Sequence, residues 1–300
     1  MKFLSKLSKE TLVCSELQVK YYKDLLKCCY GDNPDSLVFI ATVCDVFSSI
    51  ANKPPEFFKK LSVIDFFCLL LDVRINSQGN ACGAVITKDD KKMNLELRLD
   101  HIRDELKQAS SSSFVEQDNI SILIDYPCVE RLLEPSSEEY LRYIKGVFVN
   151  KPALLDGVSS HFVDISTNKH AEMFFDKLPP RTSLQIIEKA DQAFKSLIEI
   201  NFLSRYGVKD QHLAFLPTLE SLIWFAKLML NEPLDVLYNN IFYLAQMGNM
   251  SADYIENSIV GEYNFFVGCL KQKISAETPA SNNNSPNILD EDVGLMDELL

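Results

Sequence analysis

From Leu61 to Val73 the chain reads LSVIDFFCLLLDV, apolar almost all the way round a helix. A helix with so narrow a polar side has to be buried on most sides, so other elements must wrap it. The run is too short to span a bilayer and carries Asp65 and Asp72. These carboxylates lie about two turns apart and share one stripe. Buried carboxylates need partners, so that stripe faces donors or the edge of the molecule.

The texture changes straight after this run. Residues 81–87, ACGAVIT, and 93–100, MNLELRLD, alternate with the period of two that marks half-buried strands. Met93, Leu95, Leu97 and Leu99 fall on one face, and Asn94, Glu96, Arg98 and Asp100 on the other. This predicts a hairpin over 80–100 whose leucine face packs on the 57–74 helix. A two-stranded sheet is marginal by itself in water, so it must pack on helices or pair its edge with a neighbour. The charged turn Lys88–Lys92 would guard that edge.

Elsewhere helical periodicity dominates. Residues 1–30 read as one helix with lysines on its wet side, ended by GDNP, and 36–51 as a second. The serines at 110–113 read as a break, and 119–127 and 161–166 as strands. Ser136 with Glu139, and Thr182 with Gln185, have capping-box spacing. Leu184, Ile187, Phe194, Leu197 and Ile198 make an apolar stripe. Helices are expected at about 217–230, 233–247 and 251–273, opened by Pro217, Pro233 and Ser251. The fold class is therefore α+β, predominantly α-helical: a helical body with a small antiparallel sheet in the N-terminal half and an all-helical C-terminal half. The expected divisions are 1–109, a mixed segment 114–166, a helical domain 167–274, and an acidic tail 275–300. The linker SAETPASNNNSPN at 275–287 has the composition of a disordered segment.

Composition narrows the function classes. Ten glycines in 300 residues argue against glycine-rich nucleotide folds. Forty-two acids against 30 bases give −12, a poor match to nucleic acid or to an anionic membrane surface. Eight cysteines without a CxxC pair point to a reducing, cytoplasmic setting, and the N-terminus lacks a signal-peptide apolar core. Gly79 and Gly83 lack the GKS/T ending of a phosphate loop and read as a turn glycine and a strand glycine permitting close approach. Cys82 has no second ligand pair nearby in sequence. His161, Asp164, His170 and Glu172 form the one dense set of metal-ligand residue types, at a spacing no metal enzyme requires; they read as surface polar residues. Cys28 and Cys29 should point to different sides of their helix. Trp224 reads as core or interface. No catalytic, cofactor or metal site is expected.

The tail carries six acids and no Lys or Arg over 275–300. Ile288, Leu295 and Leu299, with Met296 beside them, share one side if the segment winds into a helix. It reads either as a solvating tail or as a docking peptide, for a basic groove on a partner or for the lysine-rich first helix of the same chain.

The stretch LSVIDFFCLLLDVRINSQGN resembles one in baseplate hub proteins of T-even-type contractile-tail bacteriophages, through Leu61, Ser62, Asp65, Arg74, Ser77 and Gly79. AEMFFDKLPPRTSLQIIEKADQAF (171–194) is similar to that family's helix junction, centred on Leu178 and Pro179. DVLYNNIFYLAQMGNMSADYIENSIVGEYNFFVGCLKQK (235–273) is similar to its closing helices. Gly261-Glu262-Tyr263 departs from the family's Trp-Glu-Arg, and Cys82 stands alone where some members have a cysteine knuckle. The resemblance implies a non-enzymatic hub subunit or hub assembly factor. It implies other baseplate and hub proteins as partners, in the host cytoplasm during assembly and in the virion tail baseplate if retained there. The rival readings are an intracellular helical adaptor with an acidic recognition peptide, and an enzyme using His161, Asp164 and His170.

Overall fold

A computed structural model describes residues 2–4, 11–88, 91–108, 112–117, 119–149, 162–198, 218–219, 222–230 and 232–277. The chain does not open with one long helix. Strands β1 (Lys2–Leu4) and β2 (Thr11–Val13) pair antiparallel, with Phe3 opposite Leu12 and both side chains buried. Helix α1 (Val19–Tyr30) starts only afterwards. Lysines every few residues suggested a wet helical face, but the inward positions here follow strand pairing.

Helix α2 (Ser36–Ala51) keeps its helical form despite its β-branched residues. Asp35 caps it by accepting from the Leu37 and Val38 amides, and Phe39, Val43 and Phe47 anchor it in the core. The 57–74 segment is two helices: α3 (Pro55–Lys59) and α4 (Val63–Gln78), restarted by Ser62, whose hydroxyl accepts from the Asp65 amide. Every residue from Leu61 to Arg74 is buried, as an all-round apolar run demands. Around it the rings of Phe47, Phe58, Phe66, Phe67 and Phe225 meet at centroid distances of 5.4–5.7 Å.

The hairpin is present as β3 (Ala81–Lys88) and β4 (Lys91–Arg98), with Cys82 opposite Leu97. Leu97 and Leu99 are buried while Asn94, Glu96 and Arg98 are exposed, which is the expected alternation. Two details differ. Leu99 already belongs to helix α5 (Leu99–Gln108), which packs on α4, and the helix that β3 lies against is α9. The reason is the cap: the Asn80 side chain accepts from the Asp100 amide and bends the chain from strand into helix.

Next comes a four-stranded antiparallel sheet, β5 (Ser112–Gln117), β6 (Ile120–Asp125), β7 (Ile144–Val149) and β8 (Phe162–Asp164), in that order. Ser112 and Ser113 are its first residues rather than a break, because pairing with Asp125 and Ile124 satisfies their backbone. Helix α6 (Val129–Leu133) follows β6. Glu139–Tyr143 form a 3-10 turn with no side-chain cap, since the Ser136 hydroxyl turns to the Glu138 carbonyl.

Helix α7 (Asn168–Asp176) is capped by Thr167. Helix α8 (Pro180–Ile198) begins at Pro180, so Thr182 lies inside it and cannot cap. Its buried side is Ile186, Ala190, Phe194 and Leu197, against the sheet, while Leu184 is 63% exposed. Helices α9 (Leu222–Leu230), α10 (Leu234–Met247), α11 (Ala252–Asn257) and α12 (Val260–Glu277) complete the chain. Pro233 and Ser251 stand at their expected starts, but Ser258 and Ile259 split the last helix and α12 runs into the linker as far as Glu277. The structure is predominantly helical with small antiparallel sheets. The start of α1 meets the start of α12: the Val19 amide donates to Ser258 and the Val260 amide to Leu17.

Candidate functional site

Arg74, Ser77 and Gly79 come together at the C-terminal end of α4. The buried Arg74 guanidinium donates from Nε to the Met229 carbonyl at 2.6 Å and from Nη1 to the Gly79 carbonyl at 2.9 Å. Ser77 Oγ returns a bond to Val73 O at 2.6 Å. Gly79 ends the helix with φ +91 and ψ 178, a backbone region that is essentially glycine's alone. It is thus a helix cap and not a phosphate loop. A Cβ added at Gly83 would meet nothing within 4 Å, so this glycine serves no close approach. Asp65 lies about 14 Å away along the helix axis, buried at the first turn. Leu178 is buried and Pro179 exposed in the α7–α8 junction, where the Pro179 carbonyl accepts from Ser183.

A polar cluster drawn from distant parts of the chain surrounds Arg74. Tyr22 donates to the Leu230 carbonyl at 3.0 Å. Burial raises the Glu232 carboxyl above its usual range, against the pull of Tyr22, Asn240, Lys271 and Arg74. Burial likewise works against the Arg74 charge. The Tyr263 hydroxyl is buried beside Asn240 and Glu232, and burial and the Glu232 charge push its pKa upward. No local spacing announced Tyr22, Glu232, Asn240 or Tyr263. Arg74 alone was visible, and its donors are committed to holding α4 against α9.

A second buried arginine does similar work. Arg131 donates to Asn168 Oδ1 at 3.0 Å, Ile165 O at 2.9 Å and Leu141 O at 3.0 Å, and Asn168 answers to Arg131 O at 3.2 Å. This joins α6, the 3-10 turn and α7. Both arginines fix helices to one another.

The polar set at 161–172 is dispersed in its roles. His161 lies outside the described residues. Asp164 is exposed, His170 Nδ1 meets Ser166 Oγ at 3.1 Å, and Glu172 accepts from the Ser137 amide and hydroxyl at 3.0 and 2.9 Å. Among the described residues no three His, Cys, Asp or Glu side chains are placed to hold a metal. Cys28 meets Thr42 on one side of α1, while Cys29 is buried on the other, its thiol pushed up to about 12 by burial. Trp224 is half-buried against the core.

Ile288, Leu295, Met296 and Leu299 lie outside the described residues. Of the lysines in residues 1–30, Lys20 donates to Asn257 at 3.0 Å and Lys23 pairs with Glu256, while Lys6 and Lys9 lie outside the described residues. No helix of the described residues is long and apolar enough to cross a membrane.

The surface carries rings that the core does not use. Phe114, Phe148 and Phe162 on the four-stranded sheet, and Phe242 and Phe265 on α10 and α12, are exposed by 38–67%. Burying a phenylalanine is worth roughly 1.5–3 kcal/mol, so these rings are a standing source of free energy for association.

No curated protein and no solved structure matches the chain. A family model described as T4 bacteriophage base plate protein matches residues 1–203. That span holds Asp65, Arg74, Ser77, Gly79, Leu178 and Pro179, while the similar stretch at 235–273 lies beyond it. With the match covering more than half of its residues, the chain belongs to the T4 bacteriophage base plate protein family.

Proposed function

We propose that this baseplate protein is a non-enzymatic component of the central hub, either a hub subunit or a factor that assembles the hub in the host cytoplasm. The observation that carries the reading is a division of labour in the structure. The buried polar groups, Arg74 and Arg131 foremost, bind helices to one another, while large aromatic rings stand at the surface. Such a surface suits contacts with other baseplate and hub proteins better than turnover of a small molecule. Asp65, Arg74, Ser77 and Gly79, with Leu178 and Pro179, then serve as framework positions. Ile288, Leu295, Met296 and Leu299 are proposed as a partner-binding peptide.

The test is reconstitution. Baseplate proteins of the same phage are co-expressed with and without this chain, and the products are sized and imaged. Hub assembly should fail without it. Presence of the chain in finished baseplates marks a subunit, and absence after successful assembly marks an assembly factor. Normal baseplates formed without the chain would falsify the proposal.

A further inference from the structure

Strand alternation assigns each residue of the β5–β8 sheet to one of two faces. On the inner face Val115, Ile122, Ile124, Val147 and Val149 are buried, and α8 runs along β5 and β6. A wetted outer face normally reads polar. This one does not. The register sets Phe114 opposite Leu123, Leu123 opposite Gly146, and Phe148 opposite Phe162. Ring centroids lie 6.2 Å apart for Phe114 and Phe148, and 4.8 Å for Phe148 and Phe162. The rings are 59%, 38% and 45% exposed. Gly146 belongs to the arrangement, because a Cβ there would stand 2.6 Å from the Phe162 ring.

The dimensions of this stripe fit a helix. It runs from Phe114 on β5 through Phe148 on β7 to Phe162 on β8. Its two ring spacings, 6.2 and 4.8 Å, bracket the ~5.4 Å pitch of an α-helix. A helix with apolar residues at i, i+4 and i+7 can therefore meet ring after ring.

The rim sets the charge of that helix. Glu116 and Asp164 stand two residues from Phe114 and Phe162, so both exposed carboxylates share the outer face. Among the described residues the nearby cations are engaged: Lys145 with Asp125 at 2.7 Å, and Lys189 with the Glu116 carbonyl at 2.8 Å and Gln117 at 2.9 Å. We propose that the outer face of this sheet seats an amphipathic helix of a partner protein whose apolar ridge is flanked by lysine or arginine. The proposal rests on the protein–protein role given above and names the chemistry of one partner. The chain's own tail, with six acids and no base, would set like charge on like. A second copy, net −12, would do the same.

The experiment uses the full chain and three labelled synthetic helices, read by fluorescence anisotropy at physiological salt. One has a leucine ridge flanked by lysines, one the same ridge flanked by glutamates, and one is a scramble of the lysine peptide without a ridge. The lysine-flanked helix should bind, and Phe148→Ser should weaken it about tenfold with the thermal midpoint unchanged. Glu116→Lys with Asp164→Lys should shift preference to the glutamate-flanked helix, a readout that holds if Phe148→Ser proves unstable. Equal binding by the scramble, or by a well-folded Phe148→Ser chain, overturns the proposal. So does sedimentation showing a dimer that Phe148→Ser dissociates. Baseplate assembly that proceeds unchanged with the Phe148→Ser chain removes the docking face and leaves the assembly role in place. Assembly without the chain at all removes the assembly role itself.

Discussion

Arg103 donates from Nη1 to Asp72 Oδ1 at 2.7 Å, and this ion pair joins α5 to α4. It answers the demand that a carboxylate on an apolar helix find a donor. Asp72→Ala leaves the partly buried guanidinium without that partner, so it should cost about 1–3 kcal/mol. Arg103→Met should cost less, because it keeps an apolar stem against α4. Urea unfolding checks both, as a lower midpoint at unchanged slope.

Gly79 should resist substitution more than any glycine beside it. Its φ of +91 and ψ of 178 are open to glycine alone, although no neighbour crowds it. Gly79→Ala should therefore cost about 1–3 kcal/mol through backbone strain. Gly83→Ala, in an extended strand with open space, should be close to neutral. Comparable melting temperatures for the two variants would show that strain at Gly79 is not felt.

The two faces of β4 differ sharply. Leu97 is 2% exposed, whereas Glu96 beside it is exposed. Leu97→Asp forfeits roughly 1.5–3 kcal/mol of burial and adds a buried charge. Glu96→Lys should leave stability within about 0.5 kcal/mol. Thermal denaturation of the pair reads the strand register directly.

Glu232 predicts a pH dependence of definite sign. Burial raises its carboxyl in the folded chain above the ordinary value of 4.5. Between the unfolded and the raised folded pKa, the folded state holds the extra proton, so unfolding releases it. This contribution to stability is full below the unfolded pKa and declines as pH rises through the folded one. Glu232→Gln removes the cost of charging a part-buried acid. It should be more stable than the parent at neutral pH, with a flatter profile above the ordinary glutamate range. Unfolding midpoints from pH 4 to 8 measure it, and a parallel offset at every pH would assign the effect to packing alone.

Several features were legible because they belong to single segments. An all-round apolar run from Leu61 to Val73 can only be buried, and it is. The alternation of Leu95 and Leu97 against Asn94, Glu96 and Arg98 fixes a two-sided strand before any partner is known. Pro233 and Ser251 open helices for reasons contained in their own backbone and side chains. Arg74, Ser77 and Gly79 lie in a stretch whose pattern resembled the baseplate proteins, and the match over residues 1–203 shows that family.

Other features depend on meetings that no window of sequence contains. Residues 2–4 became a strand only because Phe3 found Leu12. Ser112 and Ser113 read as a break until β6 supplied their hydrogen bonds. Leu184, on the expected apolar stripe of α8, faces solvent because the sheet selected Ile186, Ala190 and Phe194 instead. The cluster of Tyr22, Arg74, Glu232, Asn240 and Tyr263, and the aromatic stripe of Phe114, Phe148 and Phe162, are likewise products of packing between distant segments. By itself the sequence determined which segments had an apolar side and where chains could start or stop, because periodicity and capping are local. The tertiary structure decided which sides met, because burial and hydrogen-bond satisfaction are settled only between segments far apart along the chain.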